Sequence, residues 1–288
     1  MTAVAERPAP APLRPRNAAR RLLTGLAPVD VVALAFVLLL LVATFAPGLL
    51  TPYDPLDPDE AAVLAGPSWA HPLGTDYLGR DLLSRIVHGT SRTFLGSSVA
   101  VLIGLGSGVV LGLLAATLGG VVDAVISRVV DVLLSVPGLL LAMVVVVSLG
   151  FGTLNAAVAV GISTVAMFTR LMRSEVLTIK GLPFVEASHH LGARRGSVLA
   201  RHVLPNSTAA VLSLTALQFG NAILWISALS FLGYGAPPPQ PEWGLLVAEG
   251  RDYMVSSPWL VLVPGVVITA AGVAISRISQ IVKARIAR

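Results

Sequence analysis

Cysteine is absent from this 288-residue chain, which excludes disulfides, thiolate zinc sites and a thiol nucleophile. Charge is scarce: Asp, Glu, Lys and Arg make up 12% of residues, about half the roughly 25% of soluble domains. Lysine occurs only as Lys180 and Lys283, followed by Gly181 and Ala284 rather than Ser or Thr, so no Walker-type phosphate loop is encoded. The Gly-x-Ser-Gly of an intramembrane serine protease is also missing. Its nearest match, Leu105-Gly106-Ser107-Gly108, lacks the first glycine. Of the five histidines, His189 and His190 are adjacent and point to different helix faces, and His202 is twelve residues on. They read as solvated loop residues and not as a metal site.

What the chain has in abundance is apolar sequence, 55% of all residues, with a mean hydropathy of +0.83. Long runs cover 29–49, 95–118, 124–149 (interrupted by Pro137), 153–172, 208–232 and 258–276. A membrane crossing takes about 20 apolar residues, so the expectation is an all-α membrane protein of six transmembrane helices with no soluble domain. Residues 1–28, with Pro8, Pro10, Pro12 and Pro15 among Ala and Arg, read as a disordered arm. A cleaved signal peptide is the rival reading. It is disfavoured because the apolar run is about twice the usual length and no A-x-A site closes it.

Sixteen of the 20 basic residues fall in the arm, at Arg128, between runs four and five, or after run six. The intervening loops 51–93 and 233–257 are acidic and hold only Arg80, Arg85, Arg92 and Arg251. Basic residues mark the cytoplasmic side, which puts both termini there. The pI near 10.2 follows from this placement. No aromatic-interleaved basic patch calls for nucleic acid.

Three polar features interrupt the runs. In loop 71–94, Leu78, Leu82, Leu83, Ile86 and Val87 recur at helical spacing with Arg80, Asp81, Ser84 and Arg85 opposite. This predicts a short amphipathic helix on the outer membrane interface, capped by Gly89. Gln218, Asn221 and Trp225, at i, i+3 and i+7 in run five, share one helix face. That face either bonds a neighbouring helix or lines a polar path. Arg128 and Asp131 are spaced for an ion pair near one end of run three.

The third feature is the segment between runs four and five. The pattern predicts a helix over about 183–191 stopped by Gly192, a second over about 195–203 ending before Pro205, and Asn206 or Ser207 capping run five. Ala187, Ser188, Gly192, Ala193, Gly196 and Ser197 around the turn are all small, so another surface could approach the backbone closely. This is the pattern of a docking knob.

Glu186-Ala187-Ser188, then Gly192, then Leu204-Pro205 resembles the EAA…G…LP loop of permease subunits in ATP-binding-cassette importers. The stretches HPLGTDYLGRDLLSR, FLGYGAPPPQPEWG and EGRDYMVSSPW are similar to the peptide and nickel permeases, specifically the C-type subunit of dipeptide and oligopeptide systems. The resemblance covers about residues 30–265. It departs at Ser188, which replaces the second alanine, at His202, where many relatives have isoleucine, and after Ile275, where the common Gly-Asp-x-Leu-Arg-Asp pattern is missing.

The resemblance implies a type I importer permease fold in a bacterial inner membrane. It divides the chain into an arm at 1–28, a first span with its outer loop at 29–94, a five-helix core at 95–276 holding a coupling loop at 180–205, and a basic tail at 277–288. The implied partners are a homologous B-type permease, two cytoplasmic ATPase subunits that bind the ATP and magnesium, and an extracytoplasmic peptide-binding protein. This chain itself is expected to hold no cofactor and to catalyse nothing. Glu186, Ala187, Ser188, Leu191, Gly192, Ala193, Leu204 and Pro205 are then the ATPase-coupling residues, and Gln218, Asn221 and Trp225 the candidate path. Nickel or another small solute is the alternative cargo. A secondary transporter would show internal repeats and paired broken helices, which the sequence lacks.

Overall fold

The computed structural model describes residues 27–286, without the side chains of residues 189, 195, 208, 209 and 282–286. The predicted arm therefore lies almost entirely outside the described residues, as do the last two residues of the tail. The order of helices is α1 (Pro28–Phe45), α2 (Leu82–Leu118), α3 (Gly120–Ser135), α4 (Gly138–Leu149), α5 (Thr153–Lys180), α6 (Pro183–His190), α7 (Arg195–Val198), α8 (Leu204–Phe231), α9 (Trp243–Gly250) and α10 (Trp259–Ile286). No strand occurs among the described residues, only an isolated bridge between Thr75 and Asp81.

Five of these helices are long and apolar enough to cross a membrane, and α3 with α4 makes a sixth if the pair counts as one span. That pair bends by 97° at Val136 and Pro137, so run three is broken and not straight. Proline has no N–H for the helical ladder and disfavours helical backbone in the residue before it. Val136 is accordingly extended, and Pro137 serves as the N-cap of α4.

The spine is the pair α2–α5. Gly104, Gly108 and Gly112 sit one turn apart on α2, and a Cβ at each would run into Thr164, Phe168 and Met172 of α5. Gly161 of α5 makes the reciprocal approach to Ala100 and Ile103. Small residues at this spacing let two membrane helices close to backbone contact.

α2 also departs from the sequence expectation. At 37 residues it is about 55 Å long, and it begins at Leu82, so the predicted interfacial helix is its first turns and the 94/95 boundary falls inside it. Arg80 and Asp81 precede the helix, and Asp81 caps it by accepting from Ser84 N at 2.7 Å. Gly89 is not a cap. It lies within the helix, packed against the backbone of Pro241 and Glu242.

The supposed solvent face of that stretch is buried. Arg85 is 1% and Arg80 2% exposed. Asp76 accepts from Arg80 Nε at 2.7 Å and Arg85 Nη1 at 2.5 Å, and Glu249 Oε2 lies 2.9 Å from the same Arg85 nitrogen. Tyr77 stacks on Tyr253 and donates to Glu249. Trp259 Nε1 donates to Thr75 O, and Trp243 Nε1 to Ile86 O. Loops 51–81 and 233–258, the latter carrying α9, thus form one cap over the N-terminal ends of α2 and α10. Within it Glu242 is fully buried, which pushes its carboxyl above the usual carboxylate range. The amides of Gly244 and Leu245, which it caps, oppose that shift.

At the other end, α10 continues through the sequence read as a basic tail. Arg277 Nε pairs with Asp30 of α1 at 2.9 Å, and Ser279 donates to Ser213 O of α8.

Candidate functional site

The segment after α5 is a helix, a turn and a second helical piece anchored along one side only. Val185, Val198 and Val203 are buried in a cluster with Phe168, Met172, Val176 and Ile179 of α5 and Val211 of α8. Phe184 meets the His202 ring edge-on at 6.1 Å, tying α6 to the stretch before α8. Lys180 Nζ donates to Ala116 O, so the end of α5 is fastened to the last turn of α2.

The opposite side is bare. Glu186, Ala187, Leu191, Gly192 and Ala193 are exposed, Leu191 at 88%. Ser188 is half-buried, its hydroxyl donating to Phe184 O. Glu186 makes no hydrogen bond or ion pair with another described side chain. Gly192 has φ +83°, and Ala193 N reaches back to Ser188 O at 3.1 Å. This is the six-to-one bond of a Schellman cap, which favours glycine at that place. A Cβ there would meet no atom within 4 Å, so the demand at 192 is conformational, with open space in front of it.

The second half of the segment differs from the prediction. α7 covers only Arg195–Val198. A π-helical turn, Leu199–Val203, then runs directly into α8, with Leu204 N bonding Leu199 O. The wider i→i+5 spacing carries the chain past Pro205, which sits in the first turn of α8, where proline is tolerated. Asn206 and Ser207 therefore cap nothing. Their side chains donate back to His202 O and Val203 O. Leu204 is half-buried and Pro205 exposed, at the junction of segment and helix.

On α8, Gln218 is buried and accepts from Asn221 Nδ2 at 2.8 Å, while Asn221 and Trp225 are half-buried. The two amides thus satisfy each other within one helix. Trp225 lies over Gly138 at the start of α4, its ring where a Cβ would be. Trp225 thereby joins α8 to the broken helix.

The anticipated Arg128–Asp131 pair does not form. Asp131 bonds Arg170 of α5 at 2.6 Å, and Asp123 is held bidentately by Arg173 at 2.5 and 2.7 Å. The sequence carried a signal for this: two arginines at i and i+3 on α5 and two aspartates at i and i+8 on α3. Which pairs with which depends on helix packing, which spacing within one run cannot supply.

Comparison with known proteins agrees with this architecture. Residues 108–288 match the family described as the binding-protein-dependent transport system inner membrane component. The chain is 41% identical over 241 residues to the glutathione transport system permease protein GsiD of Pectobacterium atrosepticum, covering 83% of this chain and 80% of that one. It is 41% identical over 226 residues to the dipeptide transport system permease protein DppC of Alkalihalophilus pseudofirmus, covering 78% and 74%. A solved chain of the MetNI methionine ABC transporter, inward-facing, shares the fold with TM-score 0.57 and 17% identity, over 70% of this chain and 96% of that one. A chain of an amino acid ABC transporter does so at TM-score 0.56 and 14% identity, over 70% and 94%. With its multi-pass helical fold and relatives of this identity and coverage, the chain belongs to the family of binding-protein-dependent transport system inner membrane components.

Proposed function

We propose that this chain is one permease subunit of an ATP-driven importer of dipeptides or short oligopeptides, and that it performs no catalysis itself. In this reading it pairs with a second, homologous permease to enclose the path. Two ATPase subunits, which bind ATP and magnesium, dock on segment 183–205 from the cytoplasm. A peptide-binding protein delivers cargo to the cap formed by loops 51–81 and 233–258. Both termini are cytoplasmic, in keeping with the placement of the basic residues.

The observation that carries the reading is the one-sided anchoring of segment 183–205. Its valines are sunk into the ends of α5 and α8, while Glu186, Leu191 and the Gly192 turn face outward. A knob fixed in this way moves its helices when a partner moves it, and alternating access needs such a rigid link. The relatives named for dipeptide and glutathione transport support a peptide cargo. Gln218, Asn221 and Trp225 on α8 are the residues we assign to the path.

The test is to co-express the chain with a partner permease and ATPases, then measure ATP hydrolysis with the binding protein loaded with dialanine, glutathione or nickel. Stimulation by a peptide and not by nickel is expected. Stimulation by nickel alone would replace the cargo assignment, and hydrolysis by this chain without ATPases would overturn the subunit's role. Reporters after Arg288 and near Asp59 should lie on opposite sides of the membrane. Finding both on one side contradicts the topology.

A further inference from the structure

α3 is attached to the rest of the chain in an unusual way. Of its sixteen residues only Val130 is buried. Between it and α5 runs a cleft of about 260 Å³ lined by Ile126, Ser127, Val130, Asp131, Arg170 and Arg173, among others. Apolar packing therefore contributes little to this contact, in contrast to the glycine seam on the same α5. Two arginine–aspartate pairs, Arg173–Asp123 and Arg170–Asp131, make the connection.

Both ends of α3 are built to bend. Gly119 and Gly120 have φ +64° and +53°, and a Cβ on either would meet nothing within 4 Å. Two successive glycines in open space absorb dihedral change easily. At the other end lies the 97° break at Val136 and Pro137, beyond which Gly138 is seated against the Trp225 indole of α8. Meanwhile α5 runs without interruption to Lys180, three residues before segment 183–205 begins.

We infer that α3 is a lever clasped to α5, and that Asp123, Asp131, Arg170 and Arg173 are positioning residues that carry movement of segment 183–205 to the break and so to Trp225. This rests on the reading that the segment docks the ATPases. A bidentate arginine–carboxylate pair fixes orientation as well as distance. Asp123 and Arg173 are partly buried while Asp131 and Arg170 are exposed, so the bidentate pair is the firmer of the two and the outer pair adds little by itself. The clasp thus makes α3 follow α5, while the hinges let it turn relative to α2 and α4. The strain of that turn is delivered where Gly138 meets the Trp225 ring, on the face that also carries Gln218 and Asn221.

The cysteine-free chain allows a direct test in the assembled transporter in proteoliposomes. Spin labels are placed at Val125 and Leu177, spanning α3 and α5, and at Val125 and Val144, spanning the break. Distances are compared without nucleotide and after trapping with ATP and vanadate. The first distance should stay constant and the second should shift. In the Asp123→Ala/Asp131→Ala variant the first distance should broaden. Dialanine uptake should fall on the order of tenfold, as expected for loss of coupling between sites, while stimulated ATP hydrolysis persists. Exchanging one pair, Asp123→Arg with Arg173→Asp, should recover uptake relative to either single change.

Wild-type uptake in the double alanine variant, with the second distance still shifting on trapping, overturns the clasp alone. So does an equal loss of uptake and hydrolysis that the exchange fails to rescue. If trapping shifts neither distance in the unmodified chain, and Gly192→Leu leaves stimulation intact, the docking reading falls and the lever with it.

Discussion

The two ends of the molecule treat charge in opposite ways. In the cap, Asp76, Arg80 and Arg85 are buried and Glu249 is half-buried, and each faces an opposite charge. In segment 183–205, Glu186, Arg194 and Arg201 stand exposed. Removing one partner of a buried set strands the others in a low dielectric, which costs far more than the net worth of the pair. An exposed charge is solvated already, so its loss costs the fold little. The cap's charges thus hold two distant loops together, while those of the segment stay solvated. Stability should therefore respond at the cap and coupling at the segment.

The sharpest break of this contrast is Arg85→Ala. It leaves Asp76 with one guanidinium and Glu249 without its nearest cation, and should destabilise the protein by about 3–5 kcal/mol, read as lost thermal stability of the purified subunit. A wild-type melting temperature would show that the cap does not depend on the buried set. Next comes Gly108→Leu in the α2–α5 seam, where the added side chain meets Phe168 and the α5 backbone. Overpacking of this kind costs about 1–3 kcal/mol, and the same melt should detect it.

Gly192→Leu should have a smaller and local effect. A leucine at φ +83° costs about 1–2 kcal/mol at a turn with open space in front of it, where the strain is relieved locally, so the melt should fall less than for Gly108→Leu while stimulated hydrolysis or subunit assembly is lost. A large drop in melting temperature without a coupling defect would reverse the contrast. Smallest of all is Glu186→Ala, within about 0.5 kcal/mol of wild type in stability and mild in transport. Glu186→Lys, equally stable, should impair assembly or coupling. Normal stimulation in Glu186→Lys would mean that no cationic or polar partner faces this carboxylate.

The sequence displayed the five membrane-length helices and the exposed turn at Gly192 clearly. Both rest on one-dimensional signals: apolar length and a helix stop at glycine. What stayed hidden depends on partners distant in sequence. Arg80 and Arg85 looked solvent-facing because a polar stripe beside an apolar one reads as amphipathic, and their carboxylate neighbours include Glu249, more than 160 residues away. The Gly104, Gly108, Gly112 seam went unread, because a small-residue spacing inside one apolar run does not name its partner face on α5. Pro205 read as a helix end because nothing in the sequence marks the π turn that leads past it.

The central claim is that segment 183–205 is the surface seized by cytoplasmic ATPases, and Leu191, at 88% exposure on the tip, is the place to ask. With Leu191→Cys carrying a short thiol-directed photo-crosslinker in the assembled transporter, illumination should join this chain to an ATPase subunit, and a membrane-impermeant thiol reagent added outside intact cells should not reach the cysteine. Labelling from outside, or crosslinking that never includes an ATPase subunit, would contradict the account.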